Sequence, residues 1–210
     1  MAVRVHVNFA MSLDGCIGLP GPRPLALSGP EDLKRVHELR AASDAILVGV
    51  GTVLADDPKL TIKPELVGKR AKNPMRVVLD AGLRTPPKAR ILNADAPTVI
   101  FTGKKGGALP PAEIVPVASD QHGFLDLEEV LVHLEKRRVK KLMVEGGATT
   151  LSSFLRSGLV DELTVYVAPS LVGLPGAPRA FVGETMDLDD LTIAEPRRVG
   201  AGALLRWTRA

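Results

Sequence analysis

Cysteine is almost missing from this chain. Cys16 is the only one in 210 residues, which excludes an intrachain disulfide and the His/Cys/Cys zinc set of a nucleobase deaminase. Aromatic residues are scarce too: five Phe, one Tyr and one Trp, scattered without a cluster, do not supply the stacking platforms that hold single-stranded nucleic acid. No apolar run is long enough for a signal sequence or a membrane span, because Asp14 interrupts the first one, so a cytoplasmic protein without a membrane partner is expected. Charge of one sign is also lacking. The net charge of +3 favours small anionic ligands over a polyanion, and the densest basic run, residues 136–141, closes a predicted helix where cations complement the dipole; nucleic acid is not an expected partner. His6, His37, His122 and His133 have no metal-ligand spacing, so no metal is expected. Gln121 is the sole glutamine, a composition that fits a thermophilic source.

The chain does have apolar substance. Its 45% hydrophobic content over 210 residues suits one compact domain spanning 1–210, since the Pro- and Gly-containing segments near 19–30, 103–111 and 173–178 are loop-sized. Alternation from Val3 to Val7 predicts a first strand, and further strands are expected near 45–49, 75–80, 97–102, 114–118, 140–144 and 162–168. Helices are expected at 30–42, where Ser28 and Glu31 have capping-box spacing and Leu33, Val36 and Leu39 share a face, at 126–138 behind Asp126 and Glu129, and at 148–157 with Gly158 as its stop. Helices between strands imply a mostly parallel, covered sheet. The segments 191–194 and 202–207 have no helix between them and read as antiparallel edge strands. The expected fold is a three-layer α/β arrangement.

Two segments carry chemistry. The first is residues 49–61, where the buried strand Ala45-Ile46-Leu47-Val48 meets Gly49 and Gly51, a tight glycine turn, and then Asp56 and Asp57. Glycines at a strand's carboxyl end let backbone amides approach a ligand where open α/β sheets bind one. The dinucleotide fingerprint is not met, because Leu54 stands where its third glycine belongs. The same residues also suit a strand-end turn whose acids cap a short helix.

The second segment is residues 141–150, a strand running through Gly146 and Gly147 into a helix. Free amides and the positive end of the helix dipole make this an anion site, although a Gly-Gly turn capped by Thr149 or Thr150 fits the motif as well. Glu145, at the strand's end, is placed to accept hydrogen bonds from a ring bearing N–H donors, or to stand as a solvated loop acid. A third corner follows the strand at 75–80, where Asp80 and Arg84 are candidates for the adenosine end of a nucleotide, with Arg84 for a 2′-phosphate.

Several blocks, in order, resemble one family. They are Met11-Ser12-Leu13-Asp14-Gly15 after the first strand, the hexapeptide 35–40, the string 49–61, Arg76-Val77-Val78-Leu79-Asp80, Glu145-Gly146-Gly147-Ala148-Thr149 and the segment 158–163. The chain is similar to the riboflavin-biosynthesis reductases, whose fold is dihydrofolate-reductase-like, and among these to the stand-alone archaeal type that has no deaminase half. The resemblance implies an NADPH-dependent oxidoreductase and a homodimer. The expected reaction reduces the ribosylamino group of 2,5-diamino-6-ribosylamino-4(3H)-pyrimidinone 5′-phosphate, once its sugar has opened to a C1′=N imine. It carries Arg40, Leu60, Lys63 and Glu145 over as substrate contacts, and Ala10, Thr52, Asp56, Gly146, Gly147, Ala148 and Thr149 as neighbours of NADPH. Asp56 is the candidate catalytic residue, assisting ring opening or orienting both ligands. Arg40 and Lys63 are suited to a sugar phosphate on charge alone. Two alternatives stay open: the same reduction on the deaminated 5-amino-6-ribosylaminouracil 5′-phosphate, and reduction of dihydrofolate or another pteridine. The loop at 24–27 is apolar, and Ala81 replaces a hydroxyl frequent in the family.

Overall fold

The computed structural model describes residues 2–21 and 25–209; Met1 and, in the loop at 24–27, Pro24 lie outside the described residues. The elements follow the order β1 (Arg4–Ser12), α1 (Pro30–Ala41), β2 (Ala45–Gly49), α2 (Val50–Asp56), α3 (Pro64–Val67), β3 (Met75–Leu79), a 3-10 turn (Arg90–Leu92), β4 (Thr98–Thr102), β5 (Glu113–Pro116), α4 (Leu127–Lys136), β6 (Lys141–Gly146), α5 (Ala148–Arg156), β7 (Glu162–Ala168), β8 (Leu191–Ile193), β9 (Arg197–Val199) and β10 (Gly202–Arg209). Every strand and helix expected from the sequence is present. Among the described residues no helix is long and apolar enough to cross a membrane. The chain forms two compact units, one built mainly from residues 38–143 and the other from 5–37 and 144–210.

In the first unit β2, β3, β4 and β5 run parallel in that order. Side chains alternate across a strand, so Ile46, Val48, Val78 and Ile100 share one face, where they pack with Val50 and Val53 of α2, with Leu60 and with Ile91 and Leu92 of the 3-10 turn. The other face is covered by α4, whose His133 ring lies 6.0 Å from that of Phe101 on β4. Helices on both faces make this unit three-layered.

In the second unit β7 pairs with β1 in parallel and with β10 antiparallel, while β8 and β9 both pair antiparallel with β10. One face carries Tyr166, Ala168 and Leu204 against Ala10, Leu27 and Val199. Further along that face the pattern turns polar. Arg35 of α1 donates to Asn8 at 2.8 Å and to Asp32 at 2.8 Å, Thr164 donates to Asn8 at 2.8 Å, and His6 is hydrogen-bonded to Thr164 at 2.8 Å. β10 pairs antiparallel with β7, β8 and β9 at the C-terminal end of the chain, so the mixed α/β fold agrees with the expectation.

Local details depart from it. β1 extends through Ser12, so Met11 and Ser12 lie within the strand and not after it. Residues 50–56 are a helix, where a tight glycine turn was expected; Gly49 is its N-cap at φ −80° and needs no special backbone freedom. On α1 the buried residues are Asp32 and His37, while Leu33, Val36 and Leu39 are half-buried; Asp32 is held by Arg35, which reaches Asn8 on β1. Ser28 donates to Asp32 at 2.5 Å in place of a reciprocal box with Glu31. Asp126 caps α4 through the Glu129 N–H at 3.0 Å, but the Glu129 carboxylate accepts from the Ala118 N–H. Finally, β10 is an inner strand with partners on both sides; only β8 and β9 lie outside it.

Candidate active site

The segment after β2 is a two-turn helix and an irregular stretch held from several sides. Thr52 lies half-buried in the first turn of α2 and Asp56 is its last residue. Asp57 follows in the left-handed region (φ 40°, ψ 57°), its N–H bonded to the Val53 carbonyl at 3.1 Å. Its carboxylate accepts from the Arg90 N–H at 2.7 Å, so Asp57 caps the 3-10 turn. Asp56 is different. It is exposed, its carboxylate makes no hydrogen bond or ion pair among the described residues, and partial desolvation by the surrounding protein raises its pKa from the ordinary aspartate value.

Leu60 takes φ 48°, an uncommon conformation for a branched side chain. That side chain is 4% exposed and belongs to the core with Val53 and Ile91, which leaves its backbone as the part it offers a ligand. Lys63 is exposed and is the N-cap of α3. Arg40, from the last turn of α1, donates to the Thr61 carbonyl at 3.0 Å, so the two cations assigned to a sugar phosphate are brought to one segment.

Asp80 and Arg84 are placed differently from each other. Asp80, 0% exposed just beyond β3, accepts through one oxygen from both the Thr85 N–H and its hydroxyl, each at 2.7 Å. It therefore shapes the turn 80–85, while its other oxygen is buried without a partner among the described residues. Arg84 is exposed at the turn's outer side, and the missing Cβ of Gly82 leaves room for its side chain, which a methyl there would touch at 3.4 Å.

The second segment is made of backbone. β6 ends at Glu145, which is half-buried, and Gly146. Gly146 has φ 136° and Gly147 φ 75°, both in the range that disfavours side chains, and a Cβ added at Gly146 would meet nothing within 4 Å. Gly147 is the N-cap of α5 and provides no side-chain cap. Ala148 and Thr149 open the helix, Thr149 exposed, so the first amides of a nine-residue helix remain for a ligand. Ala10 lies half-buried on β1, opposite Tyr166.

Asp14, Arg76 and Asn73 have structural roles that their sequence patterns do not declare. Asp14 accepts from the Ser12 hydroxyl at 2.6 Å and from the N–H groups of Gly173 and Val172 at 2.8 and 3.1 Å, which hold its carboxyl far below the usual range and tie the turn after β1 to the loop at 170–174. Arg76 and Asn73 bind the segment around Leu60: Arg76 donates to the Lys59 carbonyl at 3.3 Å, and Asn73 accepts from the Ile62 N–H at 3.0 Å. An arginine inside a valine-rich strand was a legible signal, since arginine is almost never fully buried unless paired.

Comparison with known proteins places this geometry in context. The family described as "RibD C-terminal domain" matches residues 3–205. The 2,5-diamino-6-ribosylamino-4(3H)-pyrimidinone 5′-phosphate reductase of Archaeoglobus fulgidus is 42% identical over 207 residues, 94% of either chain. The protein of the same name from Methanothermobacter thermautotrophicus is 44% identical over 188 residues, covering 87% of this chain and 85% of that one. Among solved structures, the diaminohydroxyphosphoribosylaminopyrimidine deaminase/5-amino-6-(5-phosphoribosylamino)uracil reductase of Thermotoga maritima aligns over the whole chain with a TM-score of 0.84 at 26% identity. This chain spans 57% of the length of that structure. The dihydrofolate reductase of Enterococcus faecalis shares the fold, with a TM-score of 0.54 at 15% identity, covering 100% of this chain and 99% of that one.

Proposed function

The chain belongs to the RibD C-terminal domain family, and from that premise we propose that it reduces the ribosylamino group of 2,5-diamino-6-ribosylamino-4(3H)-pyrimidinone 5′-phosphate to the ribitylamino product in riboflavin biosynthesis. The observation that carries this reading is the 42% identity to the archaeal reductase over nearly the full length of both chains. The whole chain acts as one reductase domain, NADPH is the cofactor, and the enzyme is a cytoplasmic homodimer. The family match across 3–205 supports the first of these, and the resemblance to the riboflavin reductases supports the others.

The residues present fit the cofactor. The uncapped start of α5 behind Gly146 and Gly147 offers amides to a pyrophosphate, the resemblance adds Ala10, Thr52 and Asp56 as residues that meet NADPH, and Arg84 offers a planar fork to the 2′-phosphate. Asp80 serves the adenosine end by fixing the turn that carries Arg84. When bound, NADPH supplies the hydride that reduces C1′ of the opened sugar. The chain's own tasks are to hold the substrate phosphate with Arg40 and Lys63, present the backbone of Leu60, accept ring N–H donors at Glu145, and manage protons. Ring opening requires a proton at the sugar ring oxygen. Asp56, with a raised pKa and no internal partner, is suited to hold it.

The test is NADPH consumption with the diamino phosphate, its deaminated form and dihydrofolate, offered separately to the same preparation. Fastest turnover of the diamino compound is expected. Preference for the uracil derivative would move the enzyme one step along the same route, and turnover of dihydrofolate alone would overturn the assignment.

A further inference from the structure

Arg76 stands second in β3, between Ile46 of β2 and Thr98 of β4, and has no exposed surface. Strand alternation aims it at the same side as Val78, the side covered by α2 and Leu60. There it meets no carboxylate at hydrogen-bonding distance among the described residues. Its guanidinium donates to the Asn93 side-chain oxygen at 2.7 Å, the Asn93 carbonyl at 2.6 Å, the Ala96 carbonyl, and the Lys59 carbonyl at 3.3 Å. Three of these acceptors lie in one turn, 93–96. The fourth lies on the segment between α2 and α3.

Asn73 makes the same connection a second time. Its amide oxygen accepts from the Ile62 N–H at 3.0 Å and its amide nitrogen donates to the Asp95 carbonyl at 3.1 Å. The turn is itself braced, since the Asn93 amide donates to Asp95 at 2.9 Å and the Asp95 N–H returns to Asn93 at 3.0 Å. Between these two fastenings lies Leu60 at φ 48°, a conformation that persists only where the surroundings over-determine it. An apolar side chain would fill the space of Arg76 without desolvating a charge. What it would lose is the link to Lys59.

We propose that Arg76 is a positioning residue for substrate binding: it fastens the backbone at Lys59 to the 93–96 turn and so sets the segment that presents Leu60 and Lys63 to the sugar phosphate. The proposal rests on the assignment of that phosphate to Arg40 and Lys63. Burial lowers the pKa of Arg76, with the Asp95 charge opposing the shift, consistent with a group retained despite its desolvation.

Arg76→Lys keeps the charge and loses the fork, and Asn93→Ala loosens the turn while leaving the arginine in place. Both are measured for KM of the diamino phosphate, kcat and NADPH affinity by fluorescence titration, with Lys63→Ala alone and combined with Asn93→Ala. KM is expected to rise on the order of tenfold in Arg76→Lys and in Asn93→Ala, with kcat within about threefold of the parent and NADPH affinity unchanged. The double variant should fall short of the product of its singles, because a displaced segment no longer presents Lys63. A folded variant with unchanged KM, a KM rise matched by an equal loss of NADPH affinity, or a fully multiplicative double variant overturns the proposal. Should Arg76→Lys not fold, Asn93→Ala decides by the same readouts. Unchanged KM in Lys63→Ala places the failure in the phosphate assignment, and the proposal falls with it; a Lys63 effect without an Asn93 effect refutes the positioning role alone.

Discussion

Residues 56–63 and residues 145–149 hold unusual backbone by opposite means. In the first, Asp57 and Leu60 adopt positive φ without being glycine, and side chains from elsewhere hold the path: Arg40 at Thr61, Asn73 at Ile62 and Arg76 at Lys59. In the second, Gly146 and Gly147 reach positive φ through their own freedom, and no side chain caps the helix that follows. A side-chain-built locus can be weakened in steps, one contact at a time. At Gly146 and Gly147 there is no side chain to delete, so the anion grip is disturbed by adding atoms. The first therefore suits graded recognition and proton handling, and the second suits a fixed anion grip.

The sharpest way to break this contrast is Asp56→Asn, which keeps size and removes the exchangeable proton. We expect kcat to fall on the order of 10²-fold with the fold intact. The sign of the pH dependence follows from the raised pKa: a carboxyl acting as an acid works while protonated, so the parent rate falls as pH climbs through that pKa. The Asn variant should lack this limb in a kcat profile measured at saturating ligands. A parent-like profile in the variant would leave Asp56 architectural.

Next in size are Lys63→Ala and Arg40→Ala. Removing a charge-assisted contact to a phosphate costs about 1.5–3 kcal/mol, seen chiefly as raised KM. Lys63 is exposed at the head of α3, so its loss should move KM and little else. Arg40 also holds the Thr61 carbonyl, and its removal should raise KM further and lower Tm. If both variants bind the substrate phosphate normally and NADPH poorly, the two loci have exchanged roles.

The backbone-built locus was the more legible of the two. A strand, two glycines and a helix are written consecutively at 141–156, and local propensity decides them all. The side-chain-built locus was not. Gly49 and Gly51 suggested a turn because a seven-residue helix is too short for periodicity to declare itself. The fastenings at Lys59 and Thr61 come from positions such as Arg76 and Arg40, and sequence spacing does not report such contacts. For the same reason α1 buries Asp32 and His37 instead of its apolar stripe: Asn8, on β1, is what receives Arg35. The long apolar strands and the capped helix α4 needed no such partner, and the sequence boundaries for them lie within two residues of those observed.

Gly147→Val sharpens the comparison from the other side. A branched side chain at φ 75° is strained, and it stands where a pyrophosphate would approach the amides of α5. NADPH affinity should fall well over tenfold, roughly 1.4 kcal/mol or more, in a fluorescence titration. Undiminished affinity in a folded variant would remove residues 146–149 from the cofactor site.

The smallest expected effect belongs to Asp57→Asn, and it tests whether the two neighbouring carboxylates divide their work. The Asp57 carboxylate already serves the Arg90 N–H at 2.7 Å, at the start of the 3-10 turn, whereas that of Asp56 has no partner among the described residues. Asn keeps an acceptor for Arg90 and is nearly as good a cap, so the loss should be no more than about 0.5–1 kcal/mol. In a chain of this size that lowers Tm by about 1–4 °C. Turnover at saturating NADPH and substrate should stay near the parent value, because the charge removed points at a structural turn and not at a ligand. The two variants thus read opposite quantities, kcat at Asp56 and Tm at Asp57. A large kcat loss in Asp57→Asn with Tm unmoved would show that the segment offers the wrong carboxylate to the substrate in our reading, and Asp56 would then inherit the structural role.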